Sequence, residues 1–280
     1  MKFGFCIFTT DYSISPAEVA RATEDRGFES LLFSEHTHIP SRRSSINPRY
    51  GKEIPHEYLH SFDPFVALGA AAAVTNKIMI GTGICLVIER DPIILAKEIA
   101  TVDHMSSGRM LFGVGGGWNR EEMENHGTNW SLRWKVLRER IEAMKEIWTK
   151  DKASYHGEFV NFDDIWSWPK PIQKPHPPVF VGGDGERTFE RVMRYGDGWM
   201  PHPESGNLYA EKIKRLNDLA NKEGRPTIPV TIFGAPKDPS QIEGFIRDGA
   251  MRILFWLPSA RADEVLREMD RLTDMVKRFH

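Results

Sequence analysis

At 280 residues, with 40% hydrophobic and 27% charged side chains, the chain has ordinary globular composition and the length of one α/β barrel. Its 37 basic and 39 acidic residues leave a formal charge of −2, so nothing draws it onto nucleic acid or an anionic membrane. No apolar stretch has the length of a bilayer span and the N-terminus carries no basic, apolar leader, so the expected setting is the cytoplasm.

The chain opens on an apolar run at 2–8 that reads as a strand. Further β-type runs follow at 30–34, 78–86, 110–114, 179–181, 198–201, 230–233 and 252–257. Helical patterns start near residues 15, 63, 91, 132, 186, 207, 239 and 260. Four of these starts share one device: Ser15-Pro16, Asp63-Pro64, Asp91-Pro92 and Asp238-Pro239 each set a capping side chain before a proline. The cap oxygen takes an orphan N–H, and proline forfeits a donor that the first helical turn cannot use. Glu18, three residues after Ser15, completes a capping-box pattern. The apolar stripes Trp134, Leu137, Ile141, Met144, Trp148 and Val265, Met269, Leu272, Val276, Phe279 recur at helical spacing. Strand and helix thus alternate eight times with no linker between them. The reading is a (β/α)8 TIM barrel, with residues 1–280 as one domain.

Three stretches break the beat. Residues 37–62 and 115–131 follow the second and fourth strands and so hang from the C-terminal face, where barrel enzymes keep their active sites. Residues 151–177 precede the fifth strand; Tyr155 to Phe159 can turn a small hairpin, and the proline-dense 168–178 reads as extended chain. Cys6 and Cys85 lie in apolar text without CxxC or Cys/His spacing. Zinc-finger and thioredoxin chemistry drop out, leaving buried, inert thiols.

The strand ends carry the chemistry. Gly115, Gly116 and Gly117 with Trp118 follow the fourth strand, and Gly182, Gly183, Asp184 and Gly185 follow the fifth. Such glycines serve a tight turn or a close approach to a flat ring or phosphate, and Arg187 adds a positive charge. Trp118, Trp199 and Trp256 offer aromatic walls. His36, after Glu35 at the second strand end, is either a packing residue or an acid–base group. With His38 it forms the HxH pair of barrel metallohydrolases, His202 being a further ligand. The eighth strand, however, ends without the aspartate that such a site needs, and no metal is assigned. No Ser or Cys sits in an elbow beside a base, so a bound cofactor is expected to carry the reaction. Arg42, Arg43, Arg49 and Lys52 suit either a solvated loop or the capture of an anion, such as an anionic substrate or the acidic tail of a cofactor.

Four stretches taken in order look familiar: FSEH at 33–36, IGTGICLVIERDPIILAKEIATVDHMSSGRMLFGVGGGW at 80–118, KPIQKPHPPVFVGG at 170–183 and YGDGWMP at 195–201. Across nearly its whole length the chain resembles the luciferase-like monooxygenase superfamily, in its branch of oxidoreductases dependent on the deazaflavin coenzyme F420. The resemblance implies a non-prolyl cis peptide at Gly83-Ile84, behind the cofactor ring, and His36 as the proton-handling residue. It implies a phosphate seat on Gly182, Gly183 and the turn into Arg187, with the fourth-strand glycines beside the same cofactor. By position the cofactor-binding set takes in Glu35, Thr82, Gly83, Ile84, Cys85, Gly115, Gly116, Gly117, Trp118, Gly182, Gly183, Asp184 and Arg187. One departure stands out. F420-dependent sugar-phosphate dehydrogenases carry a glutamate where this chain has Trp118, with Glu121 and Glu122 displaced from that position. The expected activity is two-electron hydride transfer between F420 and a small-molecule substrate, in a homodimer whose interface is not legible. FMN-dependent monooxygenation on the same barrel and a non-catalytic cofactor binder are the competing readings.

Overall fold

A computed structural model describes residues 1–185, 187–203 and 209–279. In chain order these residues form β1 (Lys2–Ile7), α1 (Pro16–Asp25), β2 (Ser30–Phe33), α2 (Glu57–His60), α3 (Pro64–Val74), β3 (Met79–Cys85), α4 (Pro92–Met105) and β4 (Met110–Val114). There follow α5 (Arg120–Asn125), α6 (Arg133–Thr149), the ribbon strands β5 (Ala153–His156) and β6 (Asn161–Ile165), β7 (Val179–Gly182), α7 (Thr188–Tyr195) and β8 (Gly198–Met200). The chain ends on α8 (Tyr209–Lys222), β9 (Thr231–Phe233), α9 (Pro239–Arg247), β10 (Arg252–Trp256) and α10 (Ala262–Val276). The helix starts anticipated near 186 and 207 lie outside the described residues.

The four proline junctions behave as their chemistry demands. Ser15 Oγ accepts from the Glu18 N–H, and the carboxylates of Asp63, Asp91 and Asp238 each accept from two first-turn N–H groups. Hydrogen-bonded strands run in the order β8-β7-β4-β3-β2-β1-β10-β9, all parallel, and a bridge between Trp199 and Val230 joins the two ends. The result is a (β/α)8 barrel. β5 and β6 pair antiparallel outside it, the hairpin expected there.

Side-chain alternation sorts the strand residues into two cores. Cys6, Leu32, Leu111, Phe180, Met200, Phe233 and Leu254 fill the barrel, while a larger cluster lies between sheet and helices. Trp199, neighbour to Met200, therefore points outward: it is fully buried between Phe189 and Tyr209, not a wall of the mouth. β3 breaks its own alternation. Thr82 pairs with Phe112 and Cys85 with Val114, so β3 holds one residue more than β4 over the same span, a bulge. The Gly83-Ile84 peptide inside it is cis. Gly83 and Ile84 consequently both face the barrel interior, and Cys85 is turned out among the helices. Both cysteines are fully buried, and burial pushes both thiols well up from their ordinary value. Among the described residues no helix is long and apolar enough to cross a membrane.

Candidate active site

The C-terminal mouth is floored by Ile84, half-buried. A Cβ on Gly115 would stand 2.1 Å from Ile84 Cδ1, and one on Gly182 3.3 Å from its Cγ2, so these glycines are small because Ile84 lies across them. A Cβ on Gly116 would meet the Trp134 indole at 2.7 Å; Gly117 has φ +65° beneath Leu86 and Met123. The protein's own side chains take the space that the missing Cβ atoms leave, and a ligand there meets backbone.

His36 is buried at the exit of β2. Its Nδ1 lies 2.7 Å from Glu122 Oε2, and the other carboxylate oxygen of Glu122 accepts the Thr37 N–H at 3.0 Å. Trp118 Nε1–H points at His36 Nε2 from 3.3 Å. An indole N–H only donates, so Nε2 is the accepting nitrogen and Nδ1 carries the proton toward the carboxylate. Phe8 and Tyr58 flank the imidazole at 6.2 and 5.0 Å, and burial pushes the Tyr58 phenol up to about 12. Glu122 stands four residues after Trp118, the position of the acid in F420-dependent sugar-phosphate dehydrogenases. It reaches His36 because Asn119 caps α5 and turns Glu122 fully inward.

Several expected cofactor contacts are otherwise engaged. Glu35 accepts from Leu86 N–H at 2.7 Å and from Arg90 Nε at 2.6 Å, tying β2 to the end of β3 and not facing the mouth. Arg90 also bridges to Asp63. Thr82 is fully buried and donates to the Gly113 carbonyl, which takes it, like Cys85, behind the sheet. Asp184 pairs with Lys212 at 2.7 Å. Glu121 clamps the 37–62 loop by accepting from both Ser44 N–H and Oγ–H, and these bonds hold its carboxyl down at about 2 despite some desolvation. His38 turns from His36 to Thr37 and Asn125. Among the described residues no group of three or more His, Cys, Asp or Glu is arranged for a metal.

Other expected residues do gather at the rim. Gly183 is exposed with φ +102°, its carbonyl fixed by Trp199 Nε1–H at 2.8 Å, and exposed Arg187 leads into α7. From the 37–62 loop, Arg43 lies over the Trp118 ring at 5.9 Å and Arg49 Nη1 donates to His202 Nε2 at 2.9 Å. Arg42 and Lys52 stay exposed. Trp256 stacks on Phe8 at 5.7 Å. Around this mouth Thr10 Oγ1, Arg43 Nε, Asn119 Nδ2 and Trp256 Nε1 are buried without a hydrogen-bond partner. Orphaned polar atoms are rare in a finished interior, and their concentration here fits a polar ligand with an aromatic body.

An uncharacterized protein of Mycobacterium tuberculosis is 41% identical over 276 residues, 97% of each chain. The FMNH2-dependent dimethylsulfone monooxygenase of Pseudomonas putida is 31% identical over 235 residues, 82% of this chain and 60% of that protein. A solved F420-dependent secondary alcohol dehydrogenase, in complex with an F420–acetone adduct, superposes with a TM-score of 0.76 over 99% of this chain and 98% of its own; at 19% identity the likeness is one of fold. The sequence profile of the luciferase-like monooxygenases matches residues 1–237, and the chain belongs to that family of oxidoreductases and monooxygenases.

Proposed function

We propose that the protein is an F420-dependent oxidoreductase acting on a small molecule, with His36 as its acid–base residue. One observation carries this reading: a buried imidazole at the mouth, Nδ1–H held by Glu122 and Nε2 left as the acceptor. Bound F420 supplies a ring carbon that accepts or donates a hydride. The backbone of 83–84 and 115–117, with Ile84, backs its ring, and Gly182, Gly183 and Arg187 hold its phosphate. Trp118 and Trp256 wall the substrate space; Arg43 and Arg49 close over it. His36 Nε2 takes up or returns the proton that accompanies hydride transfer, and Glu122 stabilises the imidazolium in between.

The 31% identity to an FMNH2-dependent monooxygenase favours a second reading, with FMN on the same seat. Separate titrations with F420 and FMN, oxidised and reduced, followed by tryptophan quenching, decide between them. F420 is expected to bind at least tenfold more tightly, about 1.4 kcal/mol. A preference for FMN overturns the first reading and installs the second.

Residues 1–280 are taken as one domain that forms homodimers. On α3 and α4, which pack together, Val66 and Ile94 point outward at 75% and 61% exposure, and Trp168 lies alongside α4, its carbonyl bonded to Lys97. Apolar surface of this kind is covered when a second copy docks. Val66→Asp with Ile94→Asp is expected to convert a dimer to a monomer in sedimentation velocity. A wild-type protein that sediments as a monomer removes the dimer.

A further inference from the structure

Two guanidinium groups share one indole beside the β4 exit. Arg191 Cζ lies 3.5 Å from the centroid of the Trp134 ring, and Arg133 Cζ lies 5.1 Å from it and 3.7 Å from that of Trp130. Arg187 opens the same helix as Arg191. Like charges so close cost energy unless an anion lies among them. Among the described residues none of the three forms an ion pair with a carboxylate, whereas Arg138 and Arg194 nearby both pair with Glu142; Glu190 acts on Arg191 only at longer range. Arg133 Nε is buried with no hydrogen-bond partner. Burial first, then the neighbouring charge of Arg191, holds Arg133 below its ordinary value, and Arg191 is lowered by burial with Arg187 adding to it.

The position of the cluster limits what it can serve. Trp134, at its centre, abuts Gly116 of the mouth, and Arg187 follows the Gly182–Gly183 turn. Arg191 follows Arg187 by one helical turn, its N–H bonded to the Arg187 carbonyl, and Trp134 links Arg191 to Arg133. Guanidinium groups laid flat on indoles keep their N–H edges free for carboxylates or phosphates, which they grip with two parallel bonds. A ligand with a single phosphate is served by the turn and Arg187 alone. The further pair calls for more negative charge at a distance from the first.

We propose that Arg133 and Arg191, around Trp134, form a second anion seat that receives the multiply charged carboxylate tail of the deazaflavin cofactor. This rests on the F420 reading and deepens it: the tail, absent from FMN, becomes the feature by which the two cofactors are told apart. The seat differs from Arg43, which lies over the Trp118 ring, and from Arg49, which donates to His202.

The test uses the whole protein and the fluorescence anisotropy of F420 itself, in one form without glutamates and one bearing several. At low salt the glutamylated form is expected to bind at least about tenfold more tightly, with the gap shrinking as salt screens the seat. Arg191→Gln, which removes no hydrogen bond of its own residue, should cut that gap to about threefold or less. Arg191→Gln combined with Arg133→Gln should close it, leaving the tail-less form within about twofold of wild type. Arg191→Lys should restore part of it. Equal affinity of the two forms for the wild type, or a gap that survives the double substitution, overturns the seat while the F420 reading stands. Loss of the tail-less form in the double variant assigns the arginines to the fold and overturns it equally. If neither form binds and FMN does, the F420 reading fails and takes the seat with it.

Discussion

His36→Ala is expected to lower turnover by about two to four orders of magnitude, the range for loss of a placed acid–base group. Cofactor affinity should stay within about tenfold, or 1.4 kcal/mol, because the imidazole makes its bonds to Glu122 and Trp118 and not to the phosphate turn. The argument is one of hydrogen-bond polarity. Trp118 offers only a donor, and Glu122 accepts from Thr37 N–H with its other oxygen on Nδ1, so the ring between them is held in one tautomer with no reorganisation needed. Removing the ring also leaves Glu122 buried with the Thr37 N–H as its remaining partner, so the variant should be less stable as well as slower. Steady-state kinetics and a cofactor titration on the same preparation check both halves. Undiminished turnover removes His36 from the reaction. A wild type that binds cofactor but turns over no candidate substrate points instead to a non-catalytic binder.

What the sequence disclosed and what it withheld divide along a physical line. Local rules held: cap and proline at 15–16, 63–64, 91–92 and 238–239 act within one helical turn, and all four form as read. The barrel followed from the strand–helix rhythm, which needs no knowledge of what each side chain touches. The direction in which a strand-end residue points was harder. One extra residue in β3 reverses the alternation after Thr82, so Ile84 faces the mouth and Cys85 does not, and Trp199 is outside because Met200 is inside. Long-range partners were hidden altogether. Glu122 lies 86 positions from His36, and the space spared by Gly116 is claimed by Trp134 from the next helix. The family resemblance anticipated the cis Gly83-Ile84 peptide and singled out His36 as a candidate; it did not reveal the carboxylate bonded to that histidine, because the branch of comparison places its acid at the position of Trp118.

Behind His36 a second buried group governs how the fold responds to pH, and Glu89→Gln should expose it. Glu35, Glu89 and Glu122 each have side chains about 1% exposed, with Arg90 the guanidinium among them. Arg90 is committed to Glu35 and Asp63; Glu122 holds His36 and the Thr37 N–H. Glu89 has the Thr37 hydroxyl at 3.3 Å and His126 at 4.0 Å, the weakest support of the three. Burial first, then the charges of Glu122 and Glu35, push its carboxyl from 4.5 up to about 9. The folded protein therefore keeps a proton there that the unfolded chain gives up above about 4.5. The sign follows: this contribution to stability is complete below the unfolded value and drains away as pH rises through the folded one. Its slope is about 1.4 kcal/mol per pH unit, or on the order of 4 kcal/mol between about pH 5.5 and about pH 8.5. His126 and His176, both lowered chiefly by burial, act with the opposite sign at the acid end of that window, so the wild-type curve alone mixes the effects. Subtracting the Glu89→Gln curve cancels them, because glutamine keeps the shape of the protonated acid and cannot ionise. Urea unfolding at the two pH values should show the variant gaining on wild type as pH rises, by several kcal/mol at the alkaline end. Parallel curves would mean that the proton resides elsewhere in the cluster.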